Sequence, residues 1–135
     1  MNSRKWTWFI INGISIPLYN ENHPASINWQ ETQPDFVIES TGKFKTKSEL
    51  QHHLTNGAKQ VVLSVPALDD DIKTIVIGVN DNTIEGSETI ISNASCTTNN
   101  AAPMIEIIND LLVTVAIVCS PLRAYNYIFL ISNNS

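Results

Sequence analysis

Gln60 to Val65 reads as one continuous apolar strand, closed by Pro66 and preceded by a helix stop at Gly57. Such a run suits a strand covered on both faces, which is the habit of parallel sheets. Two further runs repeat the signal, Thr74–Val79 and Thr89–Ile91, and Asp35-Phe36-Val37-Ile38-Glu39 is a short, mostly apolar strand ahead of them. Between the first two strands lies a helix signature. Thr46 with Glu49 three residues later forms a capping box, and Leu50 and Leu54 share one face of the helix it starts. Ala102, Ile105, Ile108 and Leu112 mark the buried side of a last helix, with Met104, Ile107 and Leu111 widening the stripe. Strand–helix–strand alternation predicts a parallel α/β sheet. Ligands in such sheets sit beyond the carboxyl ends of the strands. The Glu39–Phe44, Ser64–Pro66 and Ser92–Asn99 turns all fall at such ends, so three ligand turns are expected on one edge.

The amino-terminal part is different. Trp8–Ile11 and Ile14–Pro17 flank Asn12-Gly13, a dipeptide that favours a type I′ turn, so a β-hairpin is expected over 8–17. Residues 18–34 are polar and hold Pro24 and Pro34, which predicts a loop with at most one helical turn. A chain of 135 residues can build one domain with a real core, and 43% apolar against 16% charged residues reads as globular. A net charge of −5 leaves no electrostatic footprint for nucleic acid. Lys43, Lys45 and Lys47 read as a solvated face. The apolar stretch from Leu111 to Ile131 is interrupted by Pro121 and Arg123, so no membrane span is expected.

Cys96 and Cys119 are too few for a disulfide framework and wrongly spaced for zinc, so no metal site is expected and a reducing compartment is the simplest setting. Cys119 lies in an apolar run and reads as core or tail. His52 and His53 are adjacent on a helix, where side chains diverge by about 100°, and both read with His23 as surface histidines. Cys96 stands apart. It sits in Ser92-Asn93-Ala94-Ser95-Cys96-Thr97-Thr98-Asn99, directly after an apolar strand and before an amphipathic helix. A thiol presented at a helix N-terminus is biased toward thiolate, and Thr97, Thr98 and Asn99 add donors for a carbonyl or phosphate oxygen.

That stretch resembles the active-site signature of phosphorylating glyceraldehyde-3-phosphate dehydrogenases. Glu39-Ser40-Thr41-Gly42-Lys43-Phe44 is similar to a cofactor-side turn of that family, and Gly57 through Pro66 to the strand that follows it. Val76–Asn80, Ile107–Asp110 and the hairpin from Ile11 through Pro24 and Trp29 fit in the same order, and the likeness covers roughly residues 9–112. It implies an α/β fold: a partial Rossmann-like parallel sheet, the second half of a nucleotide-binding domain, plus the start of a catalytic domain. Residues 1–91 would be the C-terminal part of the dinucleotide-binding domain, 92–112 the cysteine turn and its helix, and 113–135 an unmatched tail.

The same resemblance implies chemistry. Cys96 would attack an aldehyde, with Ser95 and Thr97 contacting substrate or the attacking phosphate. The Cys96 backbone N–H would serve as oxyanion donor. Thr41, Gly42, Phe44 and Ser64 would border a nicotinamide cofactor, NAD with NADP left open. Glyceraldehyde 3-phosphate and inorganic phosphate, a homotetrameric parent enzyme, glycolysis and a cytoplasmic setting are implied in the same way. Two departures weigh against turnover by these residues alone. None of the five glycines forms a Gly-x-Gly-x-x-Gly turn, and no histidine follows His53; a third departure, Asn100 in place of the family's second cysteine, does not by itself rule out chemistry, since that cysteine is not the nucleophile. The chain is therefore expected to be an internal piece of the enzyme, inactive by itself. Two other readings stand beside it, a non-catalytic α/β fragment or interaction module and a related dehydrogenase of four-carbon sugar phosphates.

Overall fold

The computed structural model describes residues 7–111 and the backbone of 115–118 and 128–131. The first unit is the expected hairpin. Strands β1 (Thr7–Ile11) and β2 (Ile14–Leu18) pair antiparallel, with Ile11 opposite Ile14. Asn12 and Gly13 both take positive φ, 51° and 79°, as a type I′ turn demands. Two short 3₁₀ turns follow, at Pro24–Ser26 and Trp29–Glu31, where the sequence predicted one at most. Each is closed by local bonds, the His23 Nδ1 accepting from the Ala25 N–H at 3.1 Å in the first.

Strands β3 (Phe36–Glu39), β4 (Gln60–Leu63), β5 (Lys73–Thr74) and β6 (Ile90–Ser92) form one parallel sheet in the order β3-β4-β6-β5. Helix α1 (Lys47–Thr55) makes the crossover from β3 to β4. Its capping box is complete: Thr46 Oγ1 accepts from the Glu49 N–H, and the Glu49 carboxylate accepts from the Thr46 N–H at 3.0 Å. The core is the layer between α1 and the sheet, where Leu50, Val61, Leu63, Ile72 and Ile90 are buried together. Phe44, Leu54, Val65 and Ala67 pack at its margin.

Only that face of the sheet is covered within the described residues. β4 is not buried on both sides as its sequence predicts: Val61 and Leu63 point into the core, while Val62 is half-buried. On β3, Val37 and Glu39 point inward, and Phe36 and Ile38 stay 63% and 69% exposed.

The predicted strand at Thr74–Val79 is a second correction. β5 ends at Thr74, and the chain then turns. Ile75 keeps one bond to the sheet, its N–H donating to the Ser92 carbonyl at 2.8 Å. Beyond Ser92 the neighbouring strand is finished, so nothing remains to pair with. The Asn80 side chain takes over, its Oδ1 accepting from the Val76 N–H at 2.7 Å and its Nδ2 donating to the Thr74 carbonyl at 2.9 Å. Such side-chain bonds draw backbone out of ladders.

Helix α2 (Cys96–Leu111) forms where expected, but none of its side chains is buried. Ile105 is half-buried, and Ile107 and Ile108 are exposed. Leu112 and Cys119 lie outside the described residues. Strands β7 (Val115–Val118) and β8 (Ile128–Ile131) form an antiparallel pair of their own.

Candidate active site

Parallel register brings Glu39, Leu63 and Ser92 into one row at the carboxyl ends of β3, β4 and β6. The turns that follow are stitched together there. The Ser64 N–H donates to the Glu39 carbonyl at 3.0 Å, and the Asn93 N–H donates to the Leu63 carbonyl at 2.9 Å. Ser92 is fully buried, and its hydroxyl donates to the Val65 carbonyl at 2.9 Å. The expectation that the three turns share one edge therefore holds.

The cysteine turn is built by its neighbours. Ser92 Oγ also accepts from the Ala94 N–H at 3.2 Å, and Ala94 is held at φ +58°. A left-handed alanine is strained, and here it swings the chain from strand to helix within three residues. Ser95 is the N-cap of α2: its Oγ accepts from the Thr98 N–H at 3.0 Å and lies 2.9 Å from Thr97 Oγ1 and 2.7 Å from Thr98 Oγ1. The Asn99 amide closes the turn, donating to the Asn93 carbonyl at 2.6 Å and the Ser95 carbonyl at 3.0 Å. Cys96 is left as the first helical residue, a free and exposed thiol. At the first two helical positions the N–H groups of Cys96 and Thr97 have no carbonyl four residues back within the helix.

Thr41, Gly42 and Phe44 follow β3, and Ser64 follows β4. Thr41 and Ser64 are exposed. Gly42 has φ +72°, and nothing stands within 4 Å of the place a Cβ would occupy. Phe44 is half-buried, its ring edge-on to His23 at 5.1 Å. Of the lysine cluster, Lys43 and Lys47 are exposed as expected, Lys45 is half-buried, and Lys47 pairs with Asp71 at 2.5 Å.

The histidine reading needs correction. His53 is not at the surface but 3% exposed, between Trp29 and Glu39. A usable signal was present: His53 lies three residues after Leu50 and so shares its inward stripe, whereas His52 points away. Glu39, expected at the end of its strand and the start of the turn, is itself buried at 4% exposure. Among the described residues no helix is long and apolar enough to cross a membrane.

A parallel α/β unit with a cysteine on the first helical turn at the sheet's carboxyl edge defines a class: the cysteine-bearing segment of a Rossmann-type sheet. Over most of its length the chain is a relative of one family, the glyceraldehyde-3-phosphate dehydrogenases. It is 45% identical over 101 residues to the glyceraldehyde-3-phosphate dehydrogenase of Hypocrea atroviridis, covering 75% of this chain and 29% of that protein. The Neurospora crassa protein of the same name is 46% identical over 101 residues, with the same 75% and 29% coverage. The one from Clostridium pasteurianum is 45% identical over 102 residues, covering 76% of this chain and 30% of that protein. The chain thus spans about 29% of the length of the curated relatives it matches. No family model matches it.

Proposed function

We propose that Cys96 is the nucleophile of a phosphorylating aldehyde dehydrogenase and that these 135 residues carry one part of that enzyme's site. The observation that supports this best is the exposed Cys96 thiol on the first turn of α2, at the sheet edge shared with the Thr41 and Ser64 turns. The Cys96 Sγ adds to the aldehyde carbon of glyceraldehyde 3-phosphate, forming a hemithioacetal. That carbon loses hydride, its hydroxyl gives up a proton to a general base, and a thioester results. An oxygen of inorganic phosphate then attacks it, the C–S bond breaks, and the thiolate returns as the acyl phosphate leaves. The Cys96 N–H is placed to stabilise the oxyanion of both additions. Thr97 stands beside Cys96 as a contact for substrate or the attacking phosphate, and Ser95 contributes chiefly by capping the helix. A nicotinamide cofactor, when bound, accepts the hydride. Thr41, Gly42, Phe44 and Ser64 form the wall that borders it, and the choice between NAD and NADP lies with residues beyond this wall. The family reading carries with it glycolysis, the cytoplasm and a homotetrameric parent.

The 135 residues contain neither a Gly-x-Gly-x-x-Gly turn nor a histidine after His53. Without a pyrophosphate cradle or a base we expect no turnover from them alone. Two assays test the proposal together. Alkylation by iodoacetamide is expected to modify Cys96 and to spare that position in Cys96→Ser. Reduction of NAD with glyceraldehyde 3-phosphate and phosphate is expected to stay at background for the isolated chain and to appear when the segment stands in a full-length relative. A full-length chimera whose activity survives Cys96→Ser would overturn the nucleophile. The bare apolar faces of β3 and α2 favour a second reading, a non-catalytic interaction unit, and a chimera that folds but never reduces NAD would support it.

A further inference from the structure

We propose that His53 is a positioning residue for the Thr41 turn, which it holds through Glu39, and that Trp29 fixes the imidazole tautomer that makes this possible. The inference rests on the reading of that turn as a cofactor wall. The Trp29 indole N–H donates to His53 Nδ1 at 3.0 Å. An indole nitrogen is a donor only, so Nδ1 is bare and the imidazole proton sits on Nε2. Nε2 faces Glu39 Oε2 at 3.2 Å and donates to it. The other carboxylate oxygen, Oε1, accepts from the Thr41 N–H at 2.8 Å and from the Thr41 hydroxyl. Thr41 Oγ1 accepts in turn from the Lys43 N–H at 3.2 Å.

The chain of bonds thus runs from a half-buried tryptophan in the loop to the backbone of an exposed turn, through two side chains that are almost wholly buried. Glu39 has one oxygen for each side. If His53 withdrew its proton from Oε2, that buried oxygen would have to find another donor, and the carboxylate would turn away from Thr41. A cavity of about 150 Å³ opens directly beside the three side chains, lined in part by Glu39, Thr41 and His53. The bonds from His53 on one oxygen and from Thr41 on the other orient the carboxylate. Trp29 makes the arrangement directional. With Nδ1 engaged, the imidazole cannot offer its lone pair to Glu39.

The test is NMR on the full chain labelled with ¹⁵N. The His53 ring nitrogens are expected to show the Nε2–H tautomer, and Trp29→Phe is expected to shift it toward a mixture. Amide exchange of Thr41 is expected to quicken about tenfold or more in His53→Ala, as loss of a charge-assisted bond implies. Exchange of Val61 in the core reports whether the fold survives. In His53→Gln the side-chain amide keeps a donor toward Glu39, and Thr41 protection is expected to return. Unchanged Thr41 exchange in His53→Ala with Val61 still protected would overturn the proposal. If His53→Ala unfolds, the tautomer decides: an Nδ1–H ring in the native chain, or one unmoved by Trp29→Phe, overturns it. Neither readout needs cofactor, so a failed dehydrogenase assay leaves the positioning role standing, and its failure leaves the Cys96 chemistry standing.

Discussion

The Asn93 N–H donates to the Leu63 carbonyl at 2.9 Å, so the turn that presents Cys96 grows directly out of the strand whose end presents Ser64. The bond continues the parallel ladder one step past β6, after the neighbouring side chains have already begun to turn. It fixes where the turn starts, and Ser95 fixes where the helix starts. One residue remains between these anchors, the strained Ala94.

Ser95→Ala is therefore expected to destabilise α2 by about 1 kcal/mol, the ordinary cost of losing a hydroxyl N-cap. Ser95→Asp keeps an acceptor for the Thr98 N–H and is expected to recover most of it. Urea unfolding of the three chains checks this. Equal midpoints for Ser95→Ala and the parent would mean that the cap is not what holds this turn.

Glu88 offers a test in pH. The Lys73 ammonium bonded to its carboxylate, helped by the Glu85 N–H, holds its pKa down from 4.5 to about 2. A carboxyl lowered on folding adds stability above its unfolded value and loses it as pH falls through the folded one. The contribution is thus complete above pH 4.5 and lost between there and about pH 2. Glu49 shifts in the same direction, chiefly through the Thr46 N–H, and its contribution is likewise lost as pH falls below 4.5. Glu88→Gln is expected to lower the unfolding midpoint at neutral pH, with the gap closing as the medium is acidified. A gap independent of pH would refute the assignment to Lys73.

Gly57 and Gly13 both sit at positive φ, 115° and 79°, yet they differ in space. A Cβ on Gly57 would meet the Gln30 backbone nitrogen at 2.8 Å, whereas one on Gly13 would meet nothing within 4 Å. Gly13→Ala is expected to cost about 1 kcal/mol, the strain of a left-handed residue alone. Gly57→Ala adds a backbone clash and is expected to cost about 2 kcal/mol or more. Thermal unfolding of the pair measures the difference, and equal losses would show that Gln30 moves aside freely.

Local chemistry was the legible part of this fold. Thr46 and Glu49 declare their helix because both halves of the bond lie within one turn of sequence, and Asn12-Gly13 declares its hairpin for the same reason. Parallel order followed from strand–helix–strand alternation. What escaped was decided by partners distant in sequence. Thr74–Val79 has the apolar content of a strand, but β6 stops at Ser92 and leaves it unpaired. The spacing of His53 from Leu50 could have placed it inward, but its bond with Trp29, 24 residues away, could not be read from the sequence. The Cys96 turn was legible through its motif, whereas the capping role of Ser95 lies in a bond to the Thr98 N–H that the motif does not state.

The apolar stripe of α2 was the strongest helical pattern in the sequence, and it lies open in the described residues. Ile107 is 61% exposed, while Leu50 on α1 is fully buried. Burial, not hydrophobicity, sets what a substitution costs. Leu50→Ala opens a cavity at the centre of the cluster formed with Val61, Leu63, Ile72 and Ile90, and is expected to cost about 2–5 kcal/mol. Ile107→Glu removes an apolar side chain from a face that contacts water and is expected to change stability by no more than about 0.5 kcal/mol. It should also slow self-association, because a contiguous apolar stripe is traded for charge. Urea midpoints and light scattering on the two variants separate these effects. A loss at Ile107→Glu approaching that at Leu50→Ala would mean that this face is covered in solution, by a second copy or by the remainder of the chain.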